Sequence, residues 1–142
     1  MRDTIALLDD EPERIALMEP FLREGFPQYR VCTFDNAPDM IEWLDEYLSS
    51  AVLICLDHDL GPNQIRDGTS FDPGTGRDVA DFLATRDPVC PVIIHSTNGL
   101  AVPGMIMVLE ESGWKCGRVI PDSQLGWIEK WWLPVVKDTL GQ

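Results

Sequence analysis

The sequence predicts an α/β domain in which helices cover both faces of a doubly wound, five-stranded parallel sheet. Apolar runs of strand length alternate with segments of helical period five times along the chain, which is typical of repeated βαβ units. Acidic or hydroxyl residues follow three of these runs directly, and the carboxyl ends of parallel strands meet at one edge of a sheet. Right-handed crossovers that bring these ends together predict the strand order 2-1-3-4-5. The length fits one domain over residues 1–142.

The first three strands are predicted from apolar runs that end in polar residues. The first covers residues 4–8, and the helix after it contains Pro20, which predicts a kink or an early break because proline lacks a backbone donor. The second covers residues 29–34 and leads to a helix capped by Asn36. The third, residues 51–56, is apolar throughout, as expected for a central strand that is covered on both faces.

The segment 61–76 interrupts this alternation. It contains four glycines and two prolines in sixteen residues and shows no periodicity. Loops this long in compact domains are usually functional, so a lid over a substrate is one interpretation and a plain insertion is the other. A third helix is predicted over residues 77–86, and a fourth strand over residues 92–96.

The last part of the chain completes the pattern. A fourth helix is predicted to begin at Pro103. The strand at residues 115–120 is expected at a sheet edge because Gly117 interrupts it. Asp122 or Ser123 is expected to cap the last helix. Side chains of this helix at core spacing are Leu125, Ile128, Trp132 and Val135.

Two further tryptophans of the last helix, Trp127 and Trp131, lie four residues apart and off that apolar stripe. Two neighbouring exposed indoles would form a patch for a homodimer contact or a protein partner. Partial burial under the end of the chain is the alternative.

Composition limits the function. With 24 acidic and 11 basic residues, the net charge is −13, which excludes bulk electrostatic binding to nucleic acid and to anionic membranes. No apolar run approaches the roughly 18 residues of a membrane span, and the chain start does not resemble a signal peptide, so a cytoplasmic location is expected. The four cysteines lack metal-site spacing and are expected to be reduced thiols: Cys32, Cys55, Cys90 and Cys116.

Four aspartates are expected to converge where the first and third strands end. They would repel one another, and a divalent cation with oxygen ligands removes that repulsion most simply. Mg²⁺ fits best, with Mn²⁺ as a substitute, and solvated loop carboxylates are the alternative. The candidate metal ligands are Asp9, Asp10, Asp57 and Asp59.

These strand ends resemble those of the receiver domains of two-component response regulators. The shared features are an acidic pair after the first strand, Asp57 after the third and Ser96 after the fourth. The resemblance implies a flavodoxin-like fold, Mg²⁺ held by Asp57 with Asp9 or Asp10, phosphorylation of Asp57, and contact between Ser96 and the phosphoryl group. One feature departs from the pattern: Ile120 precedes Pro121 where receivers have a lysine.

A narrower resemblance covers these departures. The strings at residues 56–61, 75–79 and 95–98, together with Arg14 after the acidic pair, resemble the cyclic-phosphate processing receiver domain, an offshoot of the receivers. The resemblance implies metal-dependent processing of a small or terminal phosphoester, such as a cyclic phosphate end, by a domain that stands alone.

Each polar residue near the strand ends then has an expected role. His58 and His95 would move protons, assisted by Asp57 and Ser96, because histidine titrates near neutral pH. Phosphate oxygens would be bound by Arg14, Arg77 and Asn98. Structural hydrogen bonds of the histidines, a capping role of Ser96 and a surface role of Arg77 are the alternatives. For the whole chain, the alternatives are a phosphoacceptor receiver and an inert interaction module.

Overall fold

A computed structural model describes residues 1–141, and Gln142 of the expected domain lies outside the described residues. Its main sheet has five parallel strands in the order β2-β1-β3-β6-β7, with β7 at an edge as expected. This is the predicted 2-1-3-4-5 topology with the strands renumbered, because two short strands intervene in the chain. The strands of the sheet are β1 (Thr4–Leu8), β2 (Arg30–Phe34), β3 (Ala51–Leu56), β6 (Val92–His95) and β7 (Cys116–Val119).

Helices connect the strands and cover both faces of the sheet, and a short 3-10 turn, Leu48–Ser50, precedes β3. A π-helical segment, Ile128–Trp132, leads directly into the last helix. No helix within residues 1–141 is long and apolar enough to cross a membrane. The helices are α1 (Pro12–Gly25), α2 (Ala37–Tyr47), α3 (Gly76–Leu83), α4 (Val102–Glu111) and α5 (Leu133–Thr139).

The sheet separates two apolar cores because successive side chains of a strand point to opposite faces. Ala6 and Leu8 of β1 pack with α2, α3 and α4 on one face. Ile5 and Leu7 pack with α1 and the C-terminal segment on the other face. Both cores are built from buried side chains, and β3, the run predicted to be a central strand, lies in the middle of the sheet.

The sequence suggested a loop without secondary structure over residues 61–76, but part of this segment is regular. It folds into an antiparallel hairpin of β4 (Gln64–Arg66) and β5 (Thr69–Phe71). The tip residues Asp67 and Gly68 both have positive φ, 51° and 75°, which is the conformation of a two-residue hairpin turn. An isolated bridge between Asp59 and Thr75 closes the base of this segment.

Gly76 joins the hairpin segment to α3 at a point where only glycine fits. Its backbone N donates to the His58 carbonyl oxygen at 2.9 Å. A Cβ atom there would lie 1.9 Å from the Asp57 carbonyl oxygen, far inside van der Waals contact. Thr75 and Asp78 cap the helix reciprocally. The motif at residues 75–79 therefore locks α3 against the end of β3.

Helix α1 runs through Pro20 to Gly25 without the early break that the sequence suggested. Proline removes the donor to the carbonyl of Ala16, four residues earlier. Both Pro20 and Ala16 are exposed, so water can bind that carbonyl. The apolar side of the helix stays intact because Met18 and Leu22 are fully buried.

The last helical segment begins at Ile128, not near the expected caps. Ser123 N donates to Asp122 Oδ1 at 2.7 Å in a local turn, five residues before the first π-helical residue. A π-helical turn is wider than an α-helical turn, so it shifts the side-chain register. Of the side chains expected inside, Leu125 is exposed. Ile128 and Trp132 are buried as expected, and Val135 is half-buried. The other buried side chains of this segment are Trp127, Leu133 and Val136.

The four cysteines form no disulfide and lie apart from the polar edge of the sheet. Cys55 is fully buried in the core behind α1. Burial raises the pKa of Cys90 to about 12 and that of Cys116 to about 11, so both thiols stay protonated at neutral pH. These properties fit the expected reduced, structural thiols.

Candidate functional site

Three of the predicted aspartates meet at the carboxyl end of the sheet. One ligand oxygen from each of Asp9, Asp10 and Asp57 lies within 4.8 Å of the other two. Backbone pairing holds two of them, because Asp9 N donates to the Phe34 carbonyl and Asp57 N to the Leu8 carbonyl, each at 3.0 Å. The strands therefore fix this carboxylate cluster, as the convergence of strand ends predicts.

The carboxylate cluster is unevenly charged. Burial raises the pKa of Asp57 to about 8, and the neighbouring charge of Asp9 adds to that rise. Burial and the same neighbour also raise the pKa of Asp10. Burial opposes ionisation of Asp9 as well, but the hydrogen bonds from His95 and Glu11 N, together with the charge of Arg14, outweigh burial, so the pKa of Asp9 is lowered. In the cluster, negative charge is therefore favoured on Asp9 and opposed on Asp10 and Asp57.

Arg14 is the cation beside this cluster. Its Nη1 lies 3.4 Å from Asp9 Oδ2 and 3.8 Å from Asp57 Oδ2, while its Nε pairs with Glu11 Oε2 at 2.8 Å. One guanidinium is shared among these carboxylates. The donor set consists of carboxylate oxygens whose repulsion needs a compact counter-charge, so it fits a hard divalent cation such as Mg²⁺.

Asp59, expected among the metal ligands, turns away from the carboxylate cluster. The strand ends at Leu56 and the chain bends at His58, so the alternation that would align Asp59 with Asp57 stops. Asp59 Oδ1 lies 2.8 Å from His58 Nδ1. Asn98 Nδ2 lies 3.4 Å from both Asp59 oxygens and from His58 Nδ1. These residues form a second polar group at the same edge.

The second polar group leaves one nitrogen of His58 available. Its Nδ1 faces a carboxylate oxygen, which accepts hydrogen bonds, so the proton belongs on Nδ1. Nε2 then carries the lone pair, and no hydrogen-bond partner within residues 1–141 occupies it. The imidazole is 14% exposed, so its body is held while its outer edge reaches solvent.

His95 lies on the opposite side of Asp9, inside the core. Its ring is fully buried, and Nε2 bonds Asp9 Oδ2 at 2.9 Å. Period two along β6 accounts for this direction, because Ile93 points into the same core. His95 therefore contacts a candidate metal ligand from a fully buried position, and its expected proton transfer to a substrate stays a prediction.

Ser96 and Arg77 are also engaged elsewhere. Ser96 Oγ accepts from Asn98 N at 3.0 Å in the turn that leads to α4, whose N-cap position is Ala101 and not Ser96. Arg77 Nε donates to Asp81 Oδ1 at 2.8 Å on its own helix. Its Nη1 lies 2.9 Å from where a Cβ on Gly104 would stand, so Arg77 packs across to α4. The expected roles of these two side chains toward phosphate stay predictions.

Trp127 is the site residue that the sequence did not indicate. Trp127 is 2% exposed, which agrees with the burial alternative, whereas Trp131 is 47% exposed, so the two indoles do not form one exposed pair and a partner contact through Trp131 stays a prediction. The Arg14 guanidinium lies 5.3 Å from the centre of the Trp127 ring, and the His95 ring stacks on it at 6.0 Å. The indole thus supports two side chains that contact Asp9.

The end of β7 differs from a phosphoacceptor site. Ile120 precedes Pro121 and is 58% exposed, and no lysine stands at this position. Arg118, two residues earlier, donates from Nη2 to the Ser96 carbonyl oxygen at 3.3 Å. No cation therefore replaces the missing lysine at the position before Pro121.

Residues 4–111 match the family described as the cyclic-phosphate processing receiver domain. The chain belongs to this family. The match includes both polar groups, the hairpin and the α3 motif, and leaves out β7 and the C-terminal helix. No curated protein compared with the chain gives a significant match.

Solved structures similar to this cyclic-phosphate processing receiver domain are response-regulator receivers. The phosphorylated cyanobacterial phytochrome response regulator RcpA has a TM-score of 0.72 and 18% identity, covering 99% of this chain and 95% of RcpA. A receiver domain from Rhodospirillum rubrum has a TM-score of 0.63 and 16% identity, covering 97% and 92%. The BeF3-activated receiver domain of Thermotoga maritima DrrB has a TM-score of 0.62 and 19% identity, covering 100% of both chains. These likenesses establish the receiver fold.

Proposed function

We propose that this domain hydrolyses a small or terminal phosphoester in a metal-dependent reaction, with cyclic phosphates as the substrate class. The observation that carries the proposal is the pairing of the carboxylate cluster with the His58 and Asp59 dyad at one edge of the sheet. The family name supports the substrate class. A receiver that only relays phosphoryl groups has no need of a histidine held in this way.

Mg²⁺ or Mn²⁺ would be held by the carboxylate cluster, Asp9, Asp10 and Asp57. A bound divalent cation would supply Lewis-acid polarisation of a phosphoryl oxygen and offset the charge of the cluster. Arg14 would add planar donors for a second phosphoryl oxygen from its place beside Asp57. Asn98, whose amide nitrogen lies 3.4 Å from His58 Nδ1, would orient the ester.

The proposed step for His58 is proton transfer at Nε2. A water oxygen forms the new bond to phosphorus, the bond from phosphorus to one ester oxygen breaks, and that oxygen leaves as a hydroxyl. His58 accepts the proton of the water and returns a proton to the leaving oxygen, so the imidazole ends unchanged. Asp59 holds the ring by accepting from Nδ1 and favours the tautomer with a basic Nε2.

The test is a screen of 2′,3′-cyclic nucleotides and RNA with 2′,3′-cyclic phosphate ends, with Mg²⁺, with Mn²⁺ and with a chelator. We expect metal-dependent opening of the cyclic ester by the wild type. Loss of a true acid or base costs about 10²–10⁴ in rate, which is the effect expected for His58→Ala. Exposed Asp72→Asn in the hairpin segment is the matched control and should keep full activity.

Three outcomes would contradict the proposal. They are no metal-dependent turnover of any phosphoester by the wild type, full activity of His58→Ala, and Mg²⁺ or Mn²⁺ binding that Asp57→Asn leaves unchanged in calorimetry. The first, together with retained metal binding, favours an inert interaction module. A partner contact through Trp131 then remains as the prediction for that module.

A phosphoacceptor receiver is the second candidate, favoured by the position of Asp57 at the end of β3 in a receiver fold. Two observations speak against it. The side chain before Pro121 is Ile120, so the lysine that receivers have at this position is missing. The pKa of Asp57, raised to about 8 by burial, also leaves the metal-free carboxyl a poor nucleophile at neutral pH.

A further inference from the structure

His95 Nε2 contacts Asp9, although His95 has no part in the reaction proposed above. Asp9 Oδ1 accepts from Glu11 N at 2.9 Å, and Asp9 Oδ2 lies 2.9 Å from His95 Nε2 and 3.4 Å from Arg14 Nη1. The shorter bond on Oδ2 comes from the histidine. Both His95 and the Asp9 side chain are fully buried, so neither has solvent as an alternative partner.

The other ring nitrogen of His95 faces only aromatic side chains. Nδ1 is buried without a hydrogen-bond partner within residues 1–141. Trp127 stacks on the ring at 6.0 Å, and Trp132 meets its edge at 6.5 Å. A proton on Nδ1 would be a buried donor without an acceptor, whereas a proton on Nε2 is donated to a carboxylate. The surroundings therefore select the neutral tautomer with the proton on Nε2.

We propose that His95 is a positioning residue that fixes the carboxylate of Asp9 for the divalent cation. Trp127 and Trp132 hold the ring of His95, and the ring donates a hydrogen bond to Asp9 Oδ2. This bond fixes the rotation of the Asp9 carboxylate, so that its remaining lone pairs are directed toward the side of Asp10 and Asp57. Partners of this kind behind a ligand typically account for 10- to 100-fold in metal affinity. The proposal rests on the metal site of the proposed function.

A matched pair of variants tests the donor position. The amide nitrogen of Gln is about as far from the backbone as Nε2 of histidine. The amide nitrogen of Asn is about as far from the backbone as Nδ1, which faces away from Asp9. We expect His95→Gln to keep the Mn²⁺ affinity of the wild type within about 3-fold, and His95→Asn to weaken it about 10- to 100-fold in calorimetry. Both variants bury one amide in the same core, so a general loss of stability affects them similarly.

A measurement on the unaltered protein covers the case in which a variant does not fold. Long-range ¹H–¹⁵N NMR of the wild type distinguishes a protonated Nε2 from a protonated Nδ1. We expect protonated Nε2, a lone pair on Nδ1, and an Nε2 resonance that moves when Mg²⁺ is added.

Equal affinity in His95→Gln and His95→Asn, or a proton on Nδ1 alone, would overturn the positioning role while the proposed function stands. A wild type that binds no divalent ion would instead overturn the metal site itself, so the two failures are distinguishable.

Discussion

Arg14 Nη1 lies 3.8 Å from Asp57 Oδ2, which places the guanidinium against the carboxylate that the receiver pattern singles out. The same nitrogen lies 3.4 Å from Asp9 Oδ2. Arg14 therefore offsets the charge of the metal-free cluster, and it also borders the space in which a phosphoryl group would bind. A metal ion and Arg14 therefore repel each other, and a phosphoryl group between them would attract both.

Arg14→Gln should separate metal binding from phosphate binding. Removing one positive charge next to the carboxylate cluster should tighten Mn²⁺ binding by about 3- to 10-fold, by Coulomb attraction in a partly solvated site. The same change should raise the KM for a phosphoester substrate at least as much, because the planar donors are lost. Calorimetry and steady-state kinetics measure the two effects, and a variant that weakens both would contradict this assignment.

Asp57→Asn should stabilise the metal-free protein. The pKa of Asp57 is about 8 in the folded chain and near 3.9 when unfolded, so between these values only the folded state holds the proton. The contribution of the Asp57 carboxyl to the free energy of unfolding is fully present below pH 4 and is lost as the pH rises toward 8. The amide removes that loss while its oxygen still accepts from His58 N, at 2.8 Å in the wild type.

The gain from Asp57→Asn should be on the order of 2 to 5 kcal/mol at pH 8 and should shrink toward pH 4. Urea unfolding at several pH values with a chelator present measures it. A gain that is independent of pH, or a loss of stability at pH 8, would show that this carboxyl ionises normally in the folded protein.

Acetyl phosphate should label the wild type poorly. An acyl phosphate at Asp57 would have no lysine opposite it, because Ile120 occupies the position before Pro121. Intact mass after incubation with acetyl phosphate and Mg²⁺ should show only a minor phosphorylated fraction. A stable, stoichiometric phosphorylated species that Asp57→Asn abolishes would instead favour signalling.

Gly76→Ala should disrupt the site through the backbone. The added Cβ would stand 1.9 Å from the Asp57 carbonyl oxygen and 3.0 Å from the Met105 methyl group, so α3 must move away from β3. We expect a loss of about 3 kcal/mol or more, the upper range for overpacking. Gly25→Ala, with no atom within 4 Å of the added Cβ, is the control. Equal unfolding midpoints for the two variants would contradict the close approach.

The sequence predicted the sheet and the carboxylate cluster for the same reason. Apolar runs that end in carboxylates define central parallel strands, and topology alone brings Asp9, Asp10 and Asp57 to one edge. Side-chain direction beyond a strand end does not follow from alternation, because the chain is free to bend there. Asp59 consequently lies against His58 and not in the cluster.

The remaining differences come from local geometry that short sequence patterns encode weakly. The hairpin strands have three residues each, and their clearest sign in the sequence is the pair Asp67 and Gly68. The π-helical turn at Ile128–Trp132 shifts the register of the last helix without any glycine or proline inside it. An α-helical period therefore placed Trp127 outside, although it is buried against His95.

The closed base of the hairpin segment has a consequence for how this chain can vary in evolution and in engineering. The bridge between Asp59 and Thr75 brings the two ends together. Beyond the loop, Arg66 pairs with Asp39 of α2, and Gln64 Nε2 donates to the Asp35 carbonyl oxygen at 3.3 Å. Neither hairpin strand pairs with the main sheet. We therefore expect hairpins of other lengths to be accepted between those two positions without a change in the pairing of the main sheet.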